Sequence, residues 1–387
     1  MQRGIMAAAL GAALLMAAIP GAAMAAPAGA VAAAGSDAAP GARVESRTAT
    51  STTVVGPDGV RTVSLFAGPV QLQRGAGWVP VDLTLRADPD GLIRPAAGIE
   101  DLTLGPNGPS VRFAGGGSAA LDWPTRLPAP RLEGATATYP QAKPGYDLVV
   151  EATRTGFVAS VRRDGAPGGA APTLALRRGK AEGVPDPAPA GDPAAREAGG
   201  PLTESESAVS QVVAAAPPGS ATPVPFDTTV QTNIRNTDTS GDPDLRVGSY
   251  DGTTVARSYL TWDLAQVTGK RIVKATLRLH QEWSSSCRPA AWQVWSSPAV
   301  GPATRWANQP TADRVWATST DTRGNNARCA PAWSTVDVTD LVRAWAAGNA
   351  PHGTMQLRAA NESDPLGWKR FGSAESTTVP QLDVTLG

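Results

Sequence analysis

Nine of the eleven tryptophans lie after residue 260, and they are the side chains in this sequence best suited to recognising a ligand. An indole offers a flat apolar face to the C–H bonds of a sugar ring, while neighbouring polar groups bind its hydroxyls. Trp295 shares a strand face with Gln293, and Trp368 lies beside two cations. We therefore expect any carbohydrate-binding surface to include Trp295, Trp368, Lys369 and Arg370.

A structural role is the alternative for each tryptophan. Trp262 alternates in phase with Leu260 and Leu264, which predicts a position in the core. For Trp295 and Trp368 the alternative is an edge position that protects the margin of a sheet. The sequence leaves both roles open for these two side chains.

The only two cysteines, Cys287 and Cys329, predict a disulfide, because an even pair in an exported protein is usually oxidised. The enclosed loop of about 40 residues would stabilise the fold by ~3–4 kcal/mol. A metal site is the competing interpretation. It would need more ligands, and the chain has only two histidines, His280 and His352.

Three aspartates in a loop-rich stretch, Asp242, Asp244 and Asp251, are candidates for a structural calcium site. Carboxylate oxygens are the ligands that Ca²⁺ prefers, but the spacing matches no EF-hand loop. Solvated aspartates in turns are the alternative. We expect no other cofactor.

The sequence contains neither the Gly-x-Ser-x-Gly nucleophile motif nor the paired-histidine helix motif of a metalloprotease. Two carboxylates could still meet in space to hydrolyse a glycosidic bond, since such a pair has no sequence signature. Nothing indicates a pair, and we expect a protein that is not an enzyme. A cleft that holds two close carboxylates with raised pKa would favour an enzyme instead.

The charges balance, with 34 Lys and Arg against 34 Asp and Glu. This composition predicts neither a nucleic-acid partner nor a polybasic membrane patch.

The first 25 residues predict a secretory signal peptide, with Arg3, an apolar run over 5–19 and small residues at Ala23 and Ala25. No later apolar run reaches the ~18 residues of a membrane span. We expect a secreted, extracellular protein without membrane insertion after signal cleavage, and its oligomeric state is not indicated.

Composition divides the remaining chain into four segments. Residues 26–44 predict a disordered lead-in, and 45–178 predict a β-rich domain from short alternating runs between turn signals. Residues 179–223 are rich in Pro, Ala and Gly and predict a disordered linker, in which 211–213 could form an isolated strand. Residues 224–387 predict the compact module that holds both cysteines.

Period-two alternation in this last segment predicts antiparallel strands with one buried face. The interpretation is an all-β protein whose C-terminal part is a jelly-roll-like β-sandwich, preceded by the smaller β-rich domain. One short helix is predicted after Thr339, where Leu341, Val342 and Trp345 fall on one side and Gly348 ends the helix.

Several ordered motifs of residues 224–387 resemble the DNRLRE domain. They are Phe226-Asp227-Thr228-Thr229-Val230, Leu245-Arg246-Val247-Gly248, Ser258 to Leu264, Ile272 to Leu279, Thr304 to Pro310, Val336 to Val342 with Trp345, and Phe371 to Ser373 before Pro380-Gln381-Leu382.

The resemblance implies a jelly-roll-like sandwich on a secreted or cell-surface bacterial protein. It also implies kinship with carbohydrate-binding module family 96, in which binding of acidic polysaccharide is the reported role. Many relatives carry such a module ahead of RHS repeats. This sequence stops at Gly387 without Tyr-Asp repeats or a toxin domain, which puts a role in toxin delivery in doubt.

Two functions follow as expectations. The first is a secreted, non-catalytic protein whose C-terminal sandwich binds polysaccharide or cell-envelope glycan. The alternative is a structural or adhesive surface module, related to the N-terminal part of RHS-type wall-associated proteins, that binds no glycan and buries every tryptophan.

Overall fold

The computed structural model describes residues 41–164, 169–179, 208–215 and 225–387, and for 208–215 it describes only the backbone. The predicted signal peptide, nearly all of the predicted lead-in and most of the predicted linker lie outside these residues. The strands before residue 216 are β1 (Arg43–Thr48), β2 (Ser51–Val55), β3 (Arg61–Phe66), β4 (Gln71–Arg74), β5 (Gly77–Pro80), β6 (Asp82–Ala87), β7 (Ile93–Ala97), β8 (Asp101–Gly105), β9 (Gly108–Arg112), β10 (Ser118–Leu121), β11 (Arg131–Glu133), β12 (Thr136–Lys143), β13 (Tyr146–Thr153), β14 (Gly156–Arg163), β15 (Leu176–Gly179) and β16 (Ala208–Ala215).

The strands after residue 225 are β17 (Phe226–Gln231), β18 (Asp244–Ser249), β19 (Val255–Asp263), β20 (Ile272–Ser284), β21 (Trp292–Ser297), β22 (Val315–Ser319), β23 (Ala332–Asp337), β24 (His352–Ala359), β25 (Lys369–Gly372) and β26 (Gln381–Leu386). Helix α1 (Thr339–Ala347) lies between β23 and β24. Short 3-10 turns occur at Thr232–Ile234, Trp306–Asn308, Ala327–Cys329 and Pro365–Gly367.

The C-terminal strands form two antiparallel layers. The first sheet contains β26, β20, β25 and β18, with β23 also paired to β20. The second sheet contains β17, β19, β24, β21 and β22, and β18 joins the two layers by pairing with β19 as well. Leu260 and Trp262 of the second sheet share one buried cluster with Leu277 and Leu279 of the first sheet. The all-β sandwich with one short helix that the alternation predicts is confirmed.

Helix α1 closes one end of this core. Its start is fixed by Asp337, whose carboxylate accepts the backbone N–H of Thr339 at 2.8 Å, and it ends at Gly348. Leu341, Val342 and Ala346 are buried on one side of the helix. Their spacing places them on one face because a helix turns once every 3.6 residues.

The first three strands belong to the sandwich and extend its first sheet. Strand β3 pairs along its whole length with β26, and Val63, Leu65 and Phe66 lie in the sandwich core. Without this pairing β26 would leave a row of unpaired backbone groups at the sheet edge. The predicted boundaries place β2 and β3 in the preceding β-rich domain, whereas β3 contributes side chains to the sandwich core.

Two further sheets stack around a second core. The third sheet has the order β15-β10-β9-β8-β7-β6, and the fourth has the order β11-β12-β13-β14-β16. Their shared core includes Leu104, Leu121 and Phe157. Strand β16 lies within the segment predicted as a linker and includes 211–213, the residues for which the sequence allows an isolated strand. It pairs with β14 and completes the fourth sheet.

Candidate functional site

Trp295 lies on the outer face of the second sheet and is partly buried. Its indole N–H donates to Gln293 Oε1 at 3.0 Å. The guanidinium carbon of Arg358, on the neighbouring strand β24, lies 3.5 Å from the centre of the indole ring. This contact follows from the register, because Gln293 pairs with Arg358 and Trp295 with Gln356. The two side chains are therefore diagonal neighbours on one sheet face.

A second arginine on the same face is held in a polar network. Arg257 of β19 makes a bidentate ion pair with Glu362, in which both N–O distances are 2.7 Å. Its Nη1 donates to Gln309 Oε1 at 3.3 Å, and its guanidinium lies 5.1 Å from the Trp306 ring. We call Trp295, Arg358, Arg257, Glu362 and Gln309 the Trp295 face.

The two arginines of this face differ in their electrostatic surroundings. The hydrogen bonds that Arg257 donates to Glu362 raise the pKa of Arg257. Burial, followed by the nearby positive charge of Arg257, lowers the pKa of Arg358. Arg358 makes no ion pair with any carboxylate in the described part of the chain. The face therefore has two arginines and one carboxylate. Glu362 neutralises Arg257, and the remaining positive charge is that of Arg358.

A buried tyrosine supports the floor of the Trp295 face. Tyr259 is fully buried although its strand parity points it away from the core. Its hydroxyl donates to Gln309 Oε1 at 3.1 Å and accepts from Gln356 Nε2 at 2.6 Å. Val300 covers the ring as part of a small separate cluster. These contacts fix the loop that carries Gln309 against the sheet.

Trp368 and Lys369 are both 0 % exposed, which corrects the expectation that they form part of a carbohydrate-binding surface. The Trp368 ring packs edge-on against Tyr250 at 5.2 Å between ring centres. Lys369 begins β25 and donates to Thr322 Oγ1 at 3.0 Å. Burial lowers the pKa of this lysine to about 8. Lys369 and Arg370 are residues of strand β25 in the first sheet.

Arg370 is partly exposed and lies apart from Trp295. Its guanidinium is 5.3 Å from the Trp283 ring and 3.8 Å from Asp244. Strand β25 belongs to the first sheet, whereas Trp295 belongs to the second. The structure therefore does not bring the four predicted residues together at one site.

Sequence reasoning missed Trp333, which is 37 % exposed. It lies on β23 directly opposite His280, and the two rings meet edge to face at 5.4 Å. The guanidinium of Arg278 is 5.4 Å from the same indole. The available signal was the alternation of exposed Trp333 and Thr335 with buried Ser334 and Val336.

The three calcium candidates are engaged by the protein itself. Asp242 and Asp244 both accept from Arg246, at 3.0 and 2.9 Å. Asp251 organises its own turn, accepting the backbone N–H of Thr253 at 2.8 Å. Hydrogen bonds of this turn, first of all from backbone Thr254, hold the pKa of Asp251 far below its usual value. Among the residues that the structure describes, no three His, Cys, Asp or Glu side chains are placed to hold a metal ion.

The predicted disulfide between Cys287 and Cys329 is confirmed, with the two Cα atoms 5.7 Å apart. It ties the loop after β20 to the turn before β23. Gly324 lies in the same loop with φ +90, a conformation that favours glycine. A Cβ at this position would lie 2.5 Å from the backbone oxygen of Glu282, so the loop approaches β20 too closely for any side chain.

One buried carboxyl pair has the raised pKa that an acid–base enzyme would need. Burial raises the pKa of Asp227 to about 7 and raises that of its neighbour Glu375 well above the usual range. The two residues are only 3 % and 5 % exposed. A substrate could not reach them without opening the fold, so this pair does not provide a catalytic cleft.

No helix in the described ranges is long and apolar enough to cross a membrane. A search of curated proteins finds no match to the chain. Over residues 221–386, less than half of its length, the sequence matches the model of carbohydrate-binding module family 96.

Proposed function

We propose that the C-terminal sandwich binds a carboxylate-bearing polysaccharide at the Trp295 face, and that the protein is exported and non-catalytic. The observation that carries the proposal is the surplus positive charge of Arg358, whose guanidinium carbon lies 3.5 Å from the centre of the Trp295 ring. The family match supports carbohydrate binding in general. Carbohydrate-binding modules of this kind commonly act outside the cell, which agrees with the predicted signal peptide.

The geometry of Arg358 suits an acidic sugar. A guanidinium that stacks on an aromatic ring keeps its edge free, and that edge presents two parallel N–H groups to a carboxylate. The ring fixes the side chain, so little conformational entropy is lost when the ligand binds. The carboxylate oxygens of Glu362, each of which accepts one hydrogen bond from Arg257, can also accept from sugar hydroxyls beside the charged group.

Arg358→Gln tests this proposal in the full chain. We expect affinity for pectin and alginate oligosaccharides to fall by about tenfold or more, since a charge-assisted hydrogen bond contributes roughly 1.5–3 kcal/mol. Isothermal titration calorimetry at two salt concentrations measures the loss and its electrostatic origin. Peptidoglycan fragments, titrated in parallel, separate a cell-envelope ligand from an external polysaccharide.

Arg314→Gln is the matched control. Arg314 also lies on an indole, 3.6 Å from the ring centre of Trp316, so the charge change and the lost stacking are the same. This variant should retain affinity. Equal loss in both variants, or no loss in Arg358→Gln, would show that binding does not depend on the Trp295 face.

The structural alternative has its own supporting observation. Trp262, Trp292 and Trp368 are all 0 % exposed, so much of the aromatic density serves packing. A module that acts only as a spacer would retain no glycan in these titrations. Iodide quenching of tryptophan fluorescence tests the part of this alternative in which every tryptophan is buried, because Trp333 is exposed and should be quenched.

A further inference from the structure

The outer face of the first sheet carries a second aromatic platform, which we call the Trp333 face. Its members are Trp333, Arg278, His280, Asp383 and Gln381, and they come from three neighbouring strands, β23, β20 and β26. Strand β20 is hydrogen-bonded to β26 on one side and to the edge strand β23 on the other, so the positions of their side chains are fixed before any ligand arrives.

Trp333 offers the exposed indole surface that stacking on a sugar requires. It is 37 % exposed, whereas Trp262, Trp292 and Trp368 are fully buried. His280 and Arg278 lie at its margin, each 5.4 Å from the ring centre. Imidazole and guanidinium N–H groups beside a flat apolar ring form the combination that recognises hydroxyl-rich rings.

The charge on this face is balanced, unlike that on the Trp295 face. Arg278 lies 3.7 Å from Asp383. Asp383 also accepts from Ser64 Oγ and Gln381 Nε2, both at 2.6 Å. Burial lowers the pKa of His280, which favours its neutral form. Glu282 Oε1 lies 4.0 Å from His280 Nδ1, and burial raises the pKa of Glu282 to about 7. The face therefore provides donors and acceptors without a surplus positive charge, and it suits an uncharged sugar better than an acidic one.

The two platforms belong to opposite layers of one sandwich. The inner faces of the first and second sheets meet in a shared core, so their outer faces point in opposite directions. A glycan chain on one face leaves the other face accessible. Two chains can then be held at once, provided that each face binds its own chain.

We propose that the Trp333 face binds an uncharged polysaccharide, so that one molecule bridges a neutral glycan chain and an acidic one. The neutral site stands on its own observations. The bridging step also rests on the function proposed for the Trp295 face.

Titration of the full chain with cellohexaose tests the neutral site. We expect Trp333→Ala to weaken binding by about tenfold, the loss expected when an aromatic contact worth ~1.4 kcal/mol is removed. Trp333→Tyr, which keeps an aromatic ring, should recover part of the affinity. Arg358→Gln should bind cellohexaose like the unmodified protein.

Val273→Ala is the control for loss of an exposed apolar side chain on β20, since Val273 is 47 % exposed. It should bind cellohexaose normally. The neutral site would be overturned if millimolar cellohexaose does not bind, or if Trp333→Ala binds as tightly as Val273→Ala.

Bridging is measured with pectin-coated beads that carry the full chain and are then offered fluorescent cellohexaose. Capture should require both faces and should fall about tenfold in Trp333→Ala and in Arg358→Gln. If the parent protein binds cellohexaose in solution and binds pectin beads but captures no cellohexaose on them, bridging is refuted. The neutral site is then still supported by the solution binding. If pectin binding alone fails, the proposed acidic site is at fault.

Discussion

At the scale of single residues, the carboxyl pair Asp227 and Glu375 makes stability depend on pH. Asp227 accepts the backbone N–H of Ala374 at 2.7 Å, and Glu375 accepts from Ser373 Oγ at 2.9 Å. Asp242 adds a further negative charge nearby. Burial disfavours ionisation of the pair, so the folded state keeps a proton that the unfolded chain releases near pH 4.

The sign of the effect follows from this retained proton. Because the folded state binds more protons than the unfolded state, the free energy of unfolding falls as pH rises from about 4 to 7. Asp227→Asn removes the ionisation and keeps the shape of the side chain. We expect this variant to be more stable than the parent at pH 7 by roughly 2–4 kcal/mol, with the difference vanishing near pH 4.

Urea unfolding at pH values from 4 to 8 measures this difference. Asp313→Asn serves as the control because Asp313 is exposed. A constant difference between Asp227→Asn and the parent at all pH values would contradict the retained proton.

Sequence reasoning at this scale succeeded where a side chain follows strand alternation and failed where its surroundings are non-local. The alternation placed Leu260 and Trp262 correctly in the core. The burial of Lys369 depends on Thr322, a residue far along the chain, and no local pattern indicates that contact. Arg358 escaped notice for the same reason, because its partner Trp295 lies on another strand.

At the scale of elements, the disulfide anchors the loops around β20. The two cysteines are 42 residues apart. Replacing both by alanine should lower the free energy of unfolding by ~3–4 kcal/mol, because the unfolded chain regains the entropy of an open loop. Thermal unfolding of this variant, beside the parent with and without reductant, measures the change. If reductant lowers the melting temperature of the alanine variant as much as that of the parent, the effect does not come from this bond.

The strands themselves were largely predictable, but their partners were not. The final strand around Leu382 and Val384 follows from alternation alone. Its pairing with β3 joins residues more than 300 positions apart, which a local pattern cannot reveal. The same holds for β16, whose backbone pairs with β14 across a stretch rich in Pro, Ala and Gly.

At the scale of the whole molecule, Arg154 connects the fourth sheet to the sandwich by hydrogen bonds. It lies in the turn between β13 and β14 and is only 2 % exposed. Its Nε donates to the carbonyl of Ser376 at 2.9 Å, and Nη1 donates to the carbonyl of Pro69 at 2.8 Å. Burial lowers its pKa to about 10, so it remains charged at neutral pH beside Glu375.

Arg154→Ala should weaken this connection by roughly 3 kcal/mol, because it leaves the buried carbonyls of Ser376 and Pro69 without their donors. We expect calorimetry to show unfolding at a lower temperature, with the two cores separating into two transitions. Arg163→Ala, which removes an exposed arginine at the end of β14, should unfold like the parent. A thermogram for Arg154→Ala that matches the parent would show that other contacts hold the cores together.

Each core contains strands from both sides of the segment between Gly179 and Ala208, and this arrangement has a consequence for proteolysis. Strand β15 ends at Gly179 and β16 begins at Ala208. Strand β15 belongs to the third sheet and β16 to the fourth, the two sheets that surround the second core. After a single backbone cut between these positions, β16 of the downstream fragment would still pair with β14, and β3 of the upstream fragment with β26. A nicked molecule should therefore migrate as one particle in gel filtration and as two bands under denaturing conditions, with its glycan affinity intact.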